Sequence, residues 1–176
     1  TDELLDRAHA AGVRYFDVAR SYGRAEEFLA GWLAVRGIRP GAVVVGSKWG
    51  YRYTADWQVA AAVHEEKELS LARFTTQLAE SRALLGAHLA LYHVHSATLE
   101  SGVLDDAALL AALVAGRRSG AYRAVGLTAS GPRSGDTLAR ALALRADGER
   151  VFDVVQATFN PLEPSAADAL RAAHDA

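Results

Sequence analysis

The sequence predicts an α/β protein in which short buried strands alternate with helices. Five runs rich in β-branched and aromatic residues recur along the 176 residues, and segments with helical spacing of apolar residues lie between them. The runs are apolar almost throughout, which is typical of parallel strands that are buried on both faces. A parallel sheet covered by helices is therefore the expected architecture.

The elements follow one another in a regular order. The predicted strands cover residues 13–17, 43–48, 89–95, 122–128 and 151–158. Helices are predicted over 1–11 and 26–35, around 74–85, around 109–114, over 138–145, and after Pro164. Glycines follow the first three helices at positions where a helix C-cap is expected. The repeat of strand and helix matches the size of a βαβ unit.

The polar residues that follow the strands favour a (β/α)8 TIM barrel over a doubly wound sheet. The glycine-rich turn of a doubly wound nucleotide-binding sheet is missing after the first predicted strand. Polar side chains instead follow the ends of several strands, as a barrel requires: Lys48, His95, Thr128, Gln156 and Asn160.

Five strands are too few to close an eight-stranded barrel. We therefore expect residues 1–176 to form a single, partial barrel domain that covers about strands 2 to 6. A chain that starts at Thr1 and contains no Met is also expected to lack preceding residues. A complete barrel has about 250 residues.

Composition excludes several classes of partner and chemistry. The formal net charge of -2 provides no attraction to nucleic acid or to an anionic membrane surface. No segment approaches the length of a membrane span or resembles a signal peptide, so a cytoplasmic protein is the expectation. The absence of Cys excludes disulfides, thiolate metal sites and a cysteine nucleophile.

Four residues suggest chemistry on a carbonyl group: Asp17, Tyr22, Lys48 and His95. Each lies at or just beyond the end of a predicted strand. An ammonium group such as Lys48 lowers the pKa of a nearby phenol, so that Tyr22 becomes a usable proton donor. Asp17 would hold Lys48 in place, and a neutral His95 would donate a hydrogen bond to the carbonyl oxygen. The hydride would come from a cofactor.

His93 allows two further interpretations. His93 lies two residues before His95, on the same side of the strand, and a core histidine with a hydrogen-bonded partner is the preferred interpretation. The pair could also chelate a divalent ion in a barrel hydrolase, but neighbouring strand ends offer Thr128 and Gln156, which are poor zinc ligands. We therefore expect no metal site.

The segment from Trp49 to Leu71 is expected to be a long loop that shapes a substrate pocket. Trp49 is expected to form a pocket wall. Three aromatic residues follow in the same loop: Tyr51, Tyr53 and Trp57. The charged run at 65–68 is typical of a solvated surface.

Five segments of the chain resemble motifs of the aldo-keto reductase family, in the family's order. They are residues 16–23 with Glu26, residues 45–48, residues 91–95, residues 124–128 and residues 153–163. The resemblance implies a (β/α)8 barrel that reduces or oxidises small carbonyl or alcohol substrates such as aldehydes, ketones or sugars. It also implies a nicotinamide cofactor, usually NADP, with NAD as the alternative.

The resemblance further implies roles for individual residues. Tyr22 would be the proton donor, tuned by Lys48 and Asp17, and His95 would orient the carbonyl. Gln156 would bind the nicotinamide carboxamide, with Asp17, Thr128 and Asn160 also on the cofactor side. The chain departs from the family pattern at Thr128 and Ala129, where Ser-Asn is usual, and at Ala90, where an acidic residue is common. A non-catalytic barrel that binds cofactor as a sensor or accessory subunit is the alternative.

Overall fold

The computed structural model describes residues 2–56, 58 and 60–176. Thr1 and Trp57, which the sequence analysis placed in the first helix and in the pocket loop, lie outside the described residues. Within this part of the chain, none of the helices is both long and apolar enough to cross a membrane.

Five parallel strands of the described residues form one curled sheet: β1 (Tyr15–Asp17), β2 (Val44–Trp49), β5 (Leu89–Ala97), β6 (Ala124–Ala129) and β9 (Val154–Gln156). They are neighbours in the sheet in that order. Each pairs in parallel with the next, so their carboxyl ends meet at one edge. The predicted parallel sheet is confirmed, although the first, fourth and fifth strands are shorter than expected.

In the described part of the chain, six α-helices connect and cover the strands. They are α1 (Asp2–Ala10), α2 (Ala25–Val35), α3 (Leu71–Leu85), α4 (Ala107–Arg118), α5 (Ser134–Ala143) and α6 (Ala167–His174). Side chains cap two of them: Ser70 accepts a hydrogen bond from the Arg73 N–H at 3.1 Å, and Asp106 accepts one from the Leu109 N–H at 3.0 Å. A cap of this kind contributes about 1 kcal/mol to stability.

Two hairpins depart from the sequence predictions. The segment expected to be a loop contains an antiparallel pair, β3 (Tyr51–Tyr53) with β4 (Glu65–Lys67). The fifth helix ends at Ala143 rather than reaching Arg145, because β7 (Arg145–Ala146) turns back to pair with β8 (Glu149–Arg150). The charged run at 65–68 is therefore partly a strand.

The main core lies between the sheet and the helices. Alternate residues of the central strands point toward the helices and are buried there, among them Val45, Tyr92, Val125 and Leu127. The intervening residues point to the concave face of the sheet. The polar residues of the candidate site come from this concave face.

Candidate active site

The carboxyl ends of the parallel strands bring the predicted polar residues into one cleft. Asp17 ends β1 opposite Gly46, and Thr128 in β6 lies opposite Gln156 in β9. The cleft has a volume of about 280 Å³. Its lining consists of Asp17, Tyr22, Lys48, His95, Thr128, Ala129, Gln156, Ala157 and Thr158. The structure thus brings together six of the residues that the sequence analysis selected.

Trp49 does not form a wall of this cleft, contrary to the expectation. Successive side chains of a strand point to opposite faces, so Trp49 points away from the face on which Lys48 lies. Its side chain is fully buried beneath α3, where its ring packs edge-on against Phe74 at a centroid distance of 5.2 Å. Trp49 belongs to the core.

Lys48 and Asp17 form the central ion pair of the cleft. The Lys48 ammonium also donates a hydrogen bond to the Val18 carbonyl at 3.1 Å, and its side chain is almost fully buried. The same ammonium lies 5.0 Å from the centre of the Tyr22 ring. Two strands and the loop after β1 therefore hold the carboxylate, the ammonium and the phenol next to each other.

Tyr22 lies in the loop between β1 and α2, with about half of its surface exposed. Its ring packs edge-on against the His95 ring, with 5.6 Å between the centroids. Burial raises the pKa of the Tyr22 phenol, and the negative charges of Asp17 and Glu65 raise it further. We expected Lys48 to lower this pKa. In the structure, burial and the two carboxylates raise it instead, so the phenol is protonated at neutral pH.

His95 is neutral at physiological pH. Burial lowers the pKa of His95 to about 4, and the positive charges of Lys48 and Lys67 act in the same direction, while Asp17 opposes them. A neutral imidazole carries one N–H donor, so His95 can donate a hydrogen bond to a substrate oxygen. The His95 ring also contacts Tyr51 of the β3–β4 hairpin, at a centroid distance of 4.9 Å.

His93 lies below His95 on the concave face and is fully buried. Neither ring nitrogen has a hydrogen-bond partner among the described residues. Burial lowers the pKa of His93 to about 4. The ring occupies space left by Gly126, where an added Cβ would lie 2.1 Å from Nδ1. His93 is thus a core histidine, as predicted, but without the expected partner.

On the side of the cleft lined by Gln156, the structure shows a contact that the sequence analysis missed. The Tyr15 hydroxyl donates to Asp17 at 3.0 Å and accepts from the Gln156 amide at 3.1 Å. Tyr15 lies two residues before Asp17 and so shares its face of β1. The alternation of side chains along a strand could therefore have predicted this contact. Tyr15 therefore links the two outer strands of the sheet.

Asn160 is not brought into the cleft. Its side-chain oxygen accepts hydrogen bonds from the backbone N–H groups of Leu162 and Glu163, at 2.9 and 3.1 Å. This local turn binds Asn160 to its own segment. Among the residues that the structure describes, no group of three or more His, Asp or Glu side chains is arranged to hold a metal ion.

The fold and the position of the cleft indicate the class of protein to which the chain belongs. A curled parallel sheet of five strands alternating with helices, with polar residues at its carboxyl edge, is part of a (β/α)8 barrel with its site in the usual place. The chain belongs to the aldo/keto reductase family, whose family model matches residues 1–175. No curated protein matches the sequence.

Solved structures of aldo-keto reductases share the fold. One from Pseudomonas aeruginosa has 24% sequence identity and a TM-score of 0.77, over 99% of this chain and 61% of that chain. A glycerol dehydrogenase from Gluconobacter oxydans has 18% identity and a TM-score of 0.70, over 99% of this chain and 49% of its own.

A third similar structure is an aldo-keto reductase complexed with NADPH. It has 17% identity and a TM-score of 0.61, over 97% of this chain and 49% of that chain. The chain therefore spans about half to three fifths of the length of these structures. At these identities the likeness establishes the fold.

Proposed function

We propose that this protein is an NAD(P)H-dependent oxidoreductase that reduces a carbonyl group or oxidises the corresponding alcohol. One observation carries the proposal: Asp17, Tyr22, Lys48 and His95 converge in one cleft at the carboxyl edge of the sheet. Membership of the aldo/keto reductase family supports the same class of reaction. Small aldehydes, ketones or sugars are the proposed substrates.

Tyr22 is the proposed proton donor. A tyrosine phenol is protonated at neutral pH, so a proton is available when negative charge develops on the substrate oxygen. The Lys48 ammonium, 5.0 Å from the ring centre, stabilises the phenolate that remains. His95, neutral because of its lowered pKa, donates a hydrogen bond to the same oxygen.

The polar residues on the other side of the cleft fit a nicotinamide carboxamide. The Gln156 amide uses a donor for Tyr15 and keeps a second N–H and its oxygen for a ligand. Thr128 accepts the Ser96 N–H through its hydroxyl oxygen and still has its own proton to donate. A nicotinamide bound there would supply or accept the hydride. NADP(H) is the proposed cofactor, with NAD(H) as the alternative.

The test compares Tyr22→Phe with Tyr53→Phe, a variant in the hairpin outside the cleft lining. Losing a general acid costs about 10²- to 10⁴-fold in rate, so Tyr22→Phe should lose most of kcat while NADPH binding is kept. Tyr53→Phe should retain kcat. Near-normal aldehyde reduction by Tyr22→Phe would contradict the assignment, and NADPH binding without turnover by the unaltered protein would indicate a sensor.

A further inference from the structure

The backbone just after His95 has an unusual conformation. Pairing between β5 and β6 shifts register between Val94 and Ala97, which leaves His95 and Ser96 in a bulge. Ser96 has a φ of +54°, in the left-handed region that a serine rarely adopts. Such strain persists only where surrounding contacts hold it, and bulges next to active sites redirect side chains.

Side chains from two other elements hold both backbone polar groups of Ser96. Its N–H donates to the Thr128 hydroxyl at 2.6 Å. Its carbonyl accepts from the Lys67 ammonium at 2.6 Å and from the Ser130 hydroxyl at 3.2 Å. Thr128 and Ser130 come from β6 and the residues after it, whereas Lys67 reaches across from the β3–β4 hairpin.

The hairpin contacts the bulge at two successive residues. Tyr51 packs its ring against His95, and the Lys67 ammonium lies 5.7 Å from the centre of the Tyr51 ring while it binds Ser96. Lys67 is one of only two lysines in the chain, and the other is Lys48. An ammonium makes a point contact with a single carbonyl, whereas a guanidinium favours paired acceptors.

We propose that Lys67 is a positioning residue for His95. Its ammonium binds the Ser96 carbonyl and so fixes the bulge that directs the His95 imidazole into the cleft. This inference rests on the proposed function, because it assigns His95 to the reacting oxygen. It adds a residue from the hairpin, outside the four that converge in the cleft.

Lys67 also acts on His95 through its charge. The charged and titratable groups around His95 are Lys48 from β2, Asp17 from β1, Lys67 from β4, His93 from β5 itself, and the phenols of Tyr22 and Tyr51. Burial is the main cause of the lowered pKa of His95, and Lys67 adds to Lys48 against the opposing Asp17. Loss of the Lys67 charge should therefore make His95 easier to protonate.

The experiment uses the full-length protein with Lys67→Met, Lys67→Arg and Arg52→Met. Arg52→Met is the matched control, because it removes a cation from the same hairpin whose partner is Glu66. The measurements are kcat, KM for NADPH, and the His95 pKa by NMR titration of the imidazole. Circular dichroism checks that each variant is folded.

Lys67→Met should lower kcat by about 10- to 100-fold with KM for NADPH unchanged, since a small misplacement of a catalytic group has effects of this size. The His95 pKa should rise by roughly half a unit. Lys67→Arg should restore the His95 pKa, because the charge is kept, and should recover only part of kcat, because a guanidinium suits a single carbonyl less well. Arg52→Met should match the unaltered protein.

The proposal is overturned if Lys67→Met keeps both kcat and the His95 pKa, or if Arg52→Met reproduces its effects. The NMR titration does not need turnover. A His95 pKa that rises in Lys67→Met alone, in a protein that reduces no carbonyl compound, would therefore support the positioning role while the proposed function fails.

If Lys67→Met does not fold, a second measurement on the unaltered protein tests the same contact. The nuclear Overhauser contacts of the Lys67 side chain can be measured in the unaltered protein, where its ammonium lies 2.6 Å from the Ser96 carbonyl oxygen and 5.7 Å from the centre of the Tyr51 ring. Contacts from the Lys67 Hε protons to the Tyr51 ring and to the protons of Ser96 support the placement of the ammonium at the bulge. Their absence overturns it.

Discussion

Strand β2 has a polar cluster on each face, and the two clusters differ in how fully their atoms are hydrogen-bonded. On the face toward the helices, the buried Glu26 carboxylate accepts from the hydroxyls of Ser47 and Ser81 at 2.6 and 2.7 Å. Its other oxygen accepts from Arg20 at 2.5 Å, and Arg20 also binds Glu80 of α3. Glu26, Ser47 and Ser81 are buried and hydrogen-bonded to one another, and Arg20 and Glu80 at the edge of the cluster are partly exposed.

On the concave face, Lys48 pairs with Asp17, and the Tyr22 phenol and the His95 imidazole next to them are open to the cleft. His93 below them has two unpartnered ring nitrogens among the described residues. The comparison teaches that a buried charge is not in itself a sign of function. Ser47 and Lys48 are neighbours in sequence, but only the cluster around Lys48 keeps donors available for a substrate.

The two clusters are mechanically connected. The Arg20 backbone N–H donates to the Lys48 carbonyl at 3.0 Å, and Arg20 lies two residues before Tyr22. The helix-facing cluster therefore fixes the loop that carries the proposed proton donor. Its expected contribution is to stability, whereas the concave cluster should contribute to rate.

The largest expected effect is on the rate, after substitution of Lys48. Lys48→Met should lower kcat by about 10²-fold or more, because the phenolate of Tyr22 loses its nearest cation. The pKa of Tyr22 should rise further, so the loss should vary with pH in a pH-rate profile. A profile that is scaled down with unchanged inflections would show that Lys48 only supports the structure, and Lys48→Arg serves as the charge-keeping control.

The second effect is on stability. Glu26→Ala should lower the free energy of unfolding by about 3 kcal/mol, because breaking a buried ion pair leaves unpaired polar groups. The adjacent Glu27 pairs with Arg24 on the surface, so Glu27→Ala should cost less than about 1 kcal/mol. Urea denaturation measures both. Equal losses in the two variants would remove the distinction between the clusters.

The smallest effect concerns His93 and depends on pH. Its pKa is lowered from 6.5 to about 4 in the folded protein, so the unfolded chain binds more protons between these values. Stability is therefore lost as the pH falls from 6.5 toward 4, by about 2 kcal/mol at pH 5 for this residue.

His93→Leu should remove that part of the pH dependence, as measured by urea denaturation at pH 7 and pH 5. The matched control is Val94→Ala, a cavity on the opposite face of the same strand, which should destabilise the protein about equally at both pH values. If His93→Leu keeps the full acid sensitivity of the unaltered protein, His93 is not the buried group that resists protonation.

The parallel strands and most of the cleft could be predicted from sequence, because buried strands are continuous apolar runs and their polar ends mark one edge. The β3–β4 hairpin could not. Its second strand is Glu65-Glu66-Lys67, and a charged run becomes a strand here through partners distant in sequence. These partners are the backbone of β3, with which the run pairs in antiparallel register, and Ser96, whose carbonyl accepts from Lys67.

Strand alternation could have corrected the placement of Trp49 and identified Tyr15. Trp49 follows Lys48 directly and so cannot share its face, whereas Tyr15 precedes Asp17 by two residues and must share it. The alternation of side chains along a strand therefore predicts both the burial of Trp49 and the contact between Tyr15 and Asp17. The positive φ of Ser96, in contrast, depends on contacts from β6 and the hairpin, and the local sequence pattern does not predict it.

The scarcity of lysine has a practical consequence for chemical labelling. The side-chain amines of residues 1–176 are those of Lys48 and Lys67, and Lys48 is buried in its ion pair, so reagents that modify lysine side chains will attach mainly at Lys67. A fluorophore on Lys67 would remove the ammonium that binds Ser96, so labelling there should itself alter the position of His95. Immobilisation through Lys67 would have the same effect, so a surface-based assay needs another anchor, such as a cysteine introduced on α1, whose residues do not line the cleft.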